Sequence, residues 1–141
     1  MDVLILGGTG FLGRHLVEAA LGYGHRPTLF NRGLHEPELF PEVEKIEGNR
    51  EGDPSGLRGR RWNAVIDTCG YVPRVVGASA RLLASAVDHY TFVSSISVYS
   101  EAIAPGADEE APVWELPDPT VEEVTGETYG GSRRCASGPR R

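Results

Sequence analysis

The sequence predicts an α/β fold with a doubly wound parallel sheet, and three observations predict it. An apolar run of four, Val3-Leu4-Ile5-Leu6, leads at once into a turn with glycines three apart, Gly7, Gly10 and Gly13. An amphipathic stretch to Gly24 and a second apolar run ending at Phe30 complete a strand–turn–helix–strand unit. Further along, two more strand-like segments flank a helix-like one, the alternation of a parallel sheet covered by helices on both faces.

Taken in order, the first strand is expected at residues 3–6 and a helix over about 11–23. Leu12, Leu16, Val17, Ala20 and Leu21 recur at helical spacing and should face the sheet. Glycines at this spacing permit a tight turn, close approach of a pyrophosphate and packing of helix on strand. The free N–H groups and the positive helix end that follow form a phosphate site. Thr9, Phe11 and Leu12, inside the same loop, join Gly7, Gly10 and Gly13 as expected cofactor contacts. The second strand, 26–30, ends at Asn31-Arg32-Gly33. An acid there would accept from a ribose 2′-hydroxyl, whereas Arg favours a 2′-phosphate. With Asn31 and Arg32 and no acid, the reading leans to NADP over NAD.

A third strand at 43–47 alternates poorly and is closed by Gly48-Asn49-Arg50. Residues 48–61 read as a loop with at most one helical turn. A buried fourth strand, 62–68, contains Ala64-Val65-Ile66 and is capped by Asp67-Thr68-Cys69-Gly70-Tyr71. Pro73 starts a helix whose apolar face is Val75, Val76, Ala80, Leu83, Ala84 and Val87. A fifth strand is expected at 90–94, before Ser95-Ile96-Ser97-Val98-Tyr99. From residue 100 to 128 the pattern collapses. Pro105, Pro112, Pro117 and Pro119 interrupt it, and Asp108-Glu109-Glu110 and Glu122-Glu123 are acidic. Such a stretch is a functional loop or disorder, its acids a solvated face without metal-ligand spacing.

At 141 residues, 40% apolar and 24% charged, the chain fits one globular domain and reaches no membrane-span length of apolar residues. Met1-Asp2 leads straight into a strand without a basic leader, which places the expectation in the cytoplasm. Cys69 and Cys135 show no metal or redox spacing. The net charge is −6, and setting aside Arg133, Arg134, Arg140 and Arg141 leaves 10 basic against 20 acidic residues, or −10. That body is no obvious nucleic-acid binder.

In open α/β sheets ligands bind outside the carboxyl ends of the strands. The residues at those ends are Gly7 to Gly13, Asn31-Arg32, Asn49-Arg50, Cys69-Gly70 and Ser94-Ser95. Together with GGTGFLG at 7–13, LFNRG at 29–33, WNAVIDTCGY at 62–71, FVSSISVYS at 92–100 and Tyr129-Gly130, they resemble the extended short-chain dehydrogenases/reductases of the NAD-dependent epimerase/dehydratase family. The similarity is greatest to the branch holding chloroplast stem-loop RNA-binding proteins and bacterial reductase-like relatives, and it covers residues 1–130.

The resemblance implies a Rossmann-like sheet of about five strands, an NAD(P) cofactor, and an oxidoreductase or epimerase/dehydratase acting on a small molecule such as a nucleotide-sugar. It implies that Gly7, Gly10 and Gly13 bind the pyrophosphate and that Arg32 meets the adenosine ribose or its 2′-phosphate. Asn49 stands where the family usually has Asp near the adenine, with Arg50 beside it. Cys69 and Gly70 would flank the nicotinamide ribose. Ser95, four before Tyr99, would polarise the substrate, and Tyr129 would be the general acid/base. A free phenol titrates near about 10 and is a poor base at neutral pH. A nearby cation favours its ionised form, the usual job of a lysine four residues on.

Here that position is Arg133. Residues 131–141 hold Gly and Pro, show no helical periodicity, and are expected to be a disordered basic tail that would not hold Arg133 near Tyr129. Residues 131–140 can be encoded so that a frame starting two bases later reads Leu-Lys-Ala-Leu-Cys-Glu-Arg-Ala-Ala, the family's missing helix. The expectation is therefore a frameshift after about Gly130, a truncated product without substrate lobe, and an NAD(P)-binding domain at 1–130. An intact downstream frame at the locus would support this, and its absence would sink it. The alternative is an RNA-binding or regulatory protein that uses the fold without turnover.

Overall fold

The computed structural model describes residues 1–100, 103, 105–118 and 120–138, so Pro119, Arg140 and Arg141 lie outside the described residues. The chain divides into two compact units, Met1–Cys69 with Ala78–Val93, and Gly70–Gly77 with Ser94–Arg141.

The first unit is built on β1 (Asp2–Leu6), α1 (Phe11–Gly22), β2 (Arg26–Asn31), β3 (Glu44–Glu47), β4 (Trp62–Asp67) and β5 (Val87–Phe92). The strands form one parallel sheet in the order β3-β2-β1-β4-β5. This is the expected Rossmann-like doubly wound α/β sheet of five strands. Its switch point lies at β1, which pairs β2 on one side and β4 on the other.

β1 is apolar on both faces because both are covered. Val3 and Ile5 pack with Val17 of α1, Leu29 and Val43. Leu4 and Leu6 pack with Phe30, Leu57, Trp62, Val65 and Leu83. A single 3-10 turn, Ser55–Leu57, is the one helical turn expected between β3 and β4.

Three expectations are corrected. Leu12 is 41% exposed, and the sheet-facing side of α1 is Gly13, Val17 and Ala20, flanked by Leu16 and Leu21. The second helix, α2 (Pro73–Leu83), stops earlier than read, and Val87 opens β5 instead of lying on a helix face. Parallel pairing of Trp62 with Val87 through to Asp67 with Phe92 sets that start three residues before the expected one. Tertiary pairing overrides the helical spacing of Val87.

The third correction concerns the tail. α3 (Tyr129–Ala136) is a helix in the second unit, with Gly130, Gly131, Ser132 and Arg133 buried. Its two glycines make poor helix formers, yet they let α3 approach its neighbours closely. A Cβ on Gly130 would lie 2.2 Å from the Ser97 carbonyl oxygen, and one on Gly131 would lie 2.6 Å from Leu116. The contact is made by small residues, which a search for apolar periodicity does not register.

Candidate functional site

The turn from β1 into α1 uses its glycines for different reasons. Gly7 and Gly8 have φ of 110° and 100°, a region open chiefly to glycine. A Cβ on Gly13 would sit 2.6 Å from the Gly8 Cα, so Gly13 is what lets α1 close onto the loop. Gly8, which the three-apart motif passes over, is thus as constrained as its neighbours. Gly10 is different. It has φ −81° and ψ 177°, open to any residue, and a Cβ there would meet nothing within 4 Å. Nothing in the protein's own packing calls for glycine at this exposed position. The arrangement fits a dinucleotide, whose pyrophosphate needs the bare backbone that Gly10 offers beside the N-terminus of α1.

The other cofactor candidates of the first unit follow the carboxyl ends of β2, β3 and β4. Asn31 ends β2 and ties the turn down: its amide nitrogen donates to the Gly7 carbonyl at 3.2 Å, and its oxygen accepts from the Gly33 N–H at 2.8 Å. Arg32 beside it is exposed. Asn49 is exposed and its side-chain oxygen accepts from the Glu51 N–H at 3.1 Å, closing its own turn. Thr9 is buried, and its carbonyl accepts from Arg14 Nε at 3.1 Å. Phe11 is 85% exposed and, with Leu12, projects from the first turn of α1.

Arg50, expected at the cofactor, points into the unit. It donates twice to Asp67, at 2.8 and 2.6 Å, once to Ser79 at 3.0 Å and once to the Cys69 sulfur at 3.4 Å. Tyr90 donates to the same carboxylate at 2.7 Å. Asp67 is fully buried and the Arg50 side chain 9% exposed. Burial works to lower the Arg50 pKa, and the Asp67 pair outweighs it, leaving the guanidinium above its ordinary value. Burial pushes the Cys69 thiol up, against the opposing pull of Arg50 and, more weakly, Arg32. Cys69 is a packed neutral thiol, and Arg50 is a positioning residue that braces the end of β4. Sequence reasoning named Asp67 only as a strand end and passed over Tyr90. A buried-type strand ending in Asp, with Arg50 in the preceding loop to pair with it, was the available signal.

In the second unit, Ser95 caps a 3-10 turn, Ile96–Val98, by accepting from the Ser97 N–H at 3.2 Å. Its hydroxyl also donates to the Ser97 hydroxyl at 3.2 Å. The Trp114 N–H donates to the Val98 carbonyl at 2.9 Å, and Tyr99 bridges Val113, so the irregular segment returns alongside this turn. α3 docks there through Gly130. The result is a cavity of about 840 Å³ lined by Ser97, Tyr99, Trp114, Glu127, Tyr129 and Gly130 among others. Tyr129 is in the lining, whereas Ser95 spends its hydroxyl on the turn two residues from Ser97.

Arg133 lies one helical turn from Tyr129. Its guanidinium is 5.9 Å from the Tyr129 ring and 5.6 Å from the Tyr71 ring, and it donates to the Gly70 carbonyl. The structured helix therefore does hold a cation at Tyr129, through the ordinary i,i+4 relation and two cation–π contacts. Ser137 anchors the end of α3 by donating to the Ser94 hydroxyl at 2.9 Å. Gly70 is the acceptor for Arg133 in this unit.

The sheet order and glycine turn define a Rossmann-like fold. Among solved structures, the UDP-Glc/GlcNAc 4-epimerase from Campylobacter jejuni is similar over 96% of this chain and 46% of its own, at 16% identity and a TM-score of 0.74. The Bordetella bronchiseptica enzyme WbmG, solved in complex with NAD, is similar over 97% and 49%, at 16% identity and a TM-score of 0.73. In sequence, the bifunctional pinoresinol-lariciresinol reductase of Forsythia intermedia is 49% identical over 45 residues, 32% of this chain and 13% of that enzyme. No protein-family model matches the chain. The chain spans about half the length of these solved structures. The expected resemblance is borne out in the fold, and the similar proteins include an epimerase, an enzyme solved with NAD and a reductase. No helix among the described residues is long and apolar enough to cross a membrane.

Proposed function

We propose that the chain is the cofactor-binding portion of an NAD(P)-dependent oxidoreductase of the epimerase, dehydratase or reductase type. The observation that supports this most is Gly10: the loop keeps a glycine where the fold needs none and where a pyrophosphate would need one. Gly7, Gly8 and Gly13 shape the loop and Asn31 pins it. Arg32, exposed after a β2 end that carries no acid of its own, favours a 2′-phosphate, so NADP is the expected cofactor. The cofactor, when bound, supplies hydride chemistry. Within the second unit, Tyr129 is the candidate acid/base and the Ser95–Ser97 turn the candidate polar group for substrate. Arg133 supplies fixed positive charge but does not give up a proton at neutral pH as lysine can, so cofactor binding should outlast turnover. No structural observation favours the RNA-binding alternative.

Fluorescence titration tests this. NADPH should bind saturably and at least about ten-fold more tightly than NADH, the scale of one charge-assisted phosphate contact, with Arg32→Ala narrowing the gap. Gly10→Leu should abolish binding while thermal unfolding stays unchanged. Folded protein that binds neither dinucleotide overturns the reading.

A further inference from the structure

The cavity of the second unit has an aromatic lining with a carboxylate in it. Tyr99, Trp114 and Tyr129 give it aromatic walls, and Trp114 is 46% exposed. Among the described lining residues Glu127 is the one carboxylate, and there is no Lys, Arg or His. The cation closest along α3, Arg133, is 4% exposed and donates to the Gly70 carbonyl, so it is turned to the unit's interior. Glu127 stands just before Thr128, the N-cap of α3, and offsets the positive end of that short helix.

An anion entering here would shed water beside a carboxylate, and the nearby cation, Arg133, is not in the lining but buried at the Tyr129 ring and bound to the Gly70 carbonyl. A ring without negative charge gains instead: its face can stack on an exposed indole, and a cationic group can meet both the indole and Glu127. A volume of about 840 Å³ is ample for such a molecule.

We infer that this cavity binds an uncharged or cationic ring-bearing small molecule stacked on Trp114, and that it rejects phosphorylated ligands, nucleotide-sugars included. The assignment rests on the proposed oxidoreductase reading only in making this ring the substrate beside Tyr129. The binding itself stands on the lining.

The full chain can be tested with a charge series on one ring: 4-methylbenzyl alcohol, 4-methylbenzylamine and 4-methylbenzoate, with UDP-glucose alongside. The chain has two tryptophans, and Trp62 is 7% exposed, so quenching by a small ligand reports on Trp114. Saturation-transfer NMR reads binding independently of fluorescence. The alcohol and amine should bind saturably, and the benzoate and UDP-glucose at least about ten-fold more weakly. Glu127→Gln, at an exposed position that need not disturb the fold, should bring the benzoate close to the alcohol. Trp114→Phe should remove the quench and weaken the alcohol by NMR. Benzoate or UDP-glucose binding as tightly as the alcohol overturns the inference, as does a quench that persists in Trp114→Phe or no saturable alcohol binding. An NADPH titration on the same sample separates the two readings. Ring binding without cofactor binding sinks the oxidoreductase proposal alone, and the reverse sinks only the cavity assignment.

Discussion

The first unit is held by side chains that fill space, and the second by side chains that are missing. β1 buries Val3 and Ile5 on one face of the sheet and Leu4 and Leu6 on the other, and both apolar clusters belong to this unit. In the second unit, α3 reaches its neighbours through Gly130 and Gly131 against Ser97 and Leu116. One kind of packing leaves a periodic trace in the sequence. The other leaves glycine and proline, which read as loop. The difference teaches that an unpatterned stretch can still be close-packed, provided bare glycine backbone is what meets its neighbours.

Four changes would break or sharpen that contrast. Asp67→Ala should do most harm, because it leaves the buried Arg50 guanidinium without its carboxylate. Loss of one partner of a buried pair costs about 3–5 kcal/mol, read as a lower urea midpoint. Replacing both, as Arg50→Met with Asp67→Leu, should recover much of the loss. Gly130→Ala comes next. Its Cβ would collide with the Ser97 carbonyl, and overpacking of this kind costs about 1–3 kcal/mol. If the second unit were held by apolar volume instead, near-ultraviolet circular dichroism of this variant would match the parent.

Tyr90→Phe removes one donor to Asp67 and should cost about 1 kcal/mol at neutral pH. It also carries a pH signature. Burial, then the Asp67 charge, pushes the Tyr90 hydroxyl above its ordinary value, so the folded chain keeps this proton when the unfolded chain releases it. The stabilisation is whole below about pH 10, the ordinary phenol value, and is lost as pH rises further. Cys69, also pushed up by burial, adds a loss of the same sign that begins lower. Urea denaturation at neutral and alkaline pH should show a steep alkaline fall in the parent and a shallower one in Tyr90→Phe. The smallest effect belongs to Glu122→Gln, which breaks an exposed pair with Arg74. Such pairs contribute about 0–1 kcal/mol and fade with salt, so a midpoint shift beyond that range would mean the second unit relies on surface charge.

Much of the first unit was legible because its signals are local. Val3 to Leu6, the glycine turn, Arg26 to Phe30 and Ala64 to Ile66 each name their element within a few residues. Leu12 was misassigned because Gly13, which has no side chain to enter an apolar pattern, is the buried residue of that turn and closes onto Gly8. Val87 was misassigned because its partner, Trp62, lies 25 residues earlier. Arg50 looked like a cofactor contact from its place after β3, and only the fold shows Asp67 meeting it. Of the second unit, Tyr129 and Ser95 were legible as motif residues. The cavity was not, since Trp114 and Glu127 sit in a segment whose sequence carries no period.

The placement of β1 has a consequence for how the chain comes to be folded. The strand earliest in sequence is the middle of the sheet, and one of its two neighbours, β4, lies some sixty residues later. A growing chain can pair β1 with β2 early, but Leu4 and Leu6 keep an uncovered side until residues 62–67 have emerged. Non-local parallel pairing of this sort is slow to nucleate. During that wait the nascent chain shows an apolar ribbon, and its yield in a cell should depend on what shields it. Pausing translation before Asp67 and after Phe92 would give two nascent chains of very different protease resistance.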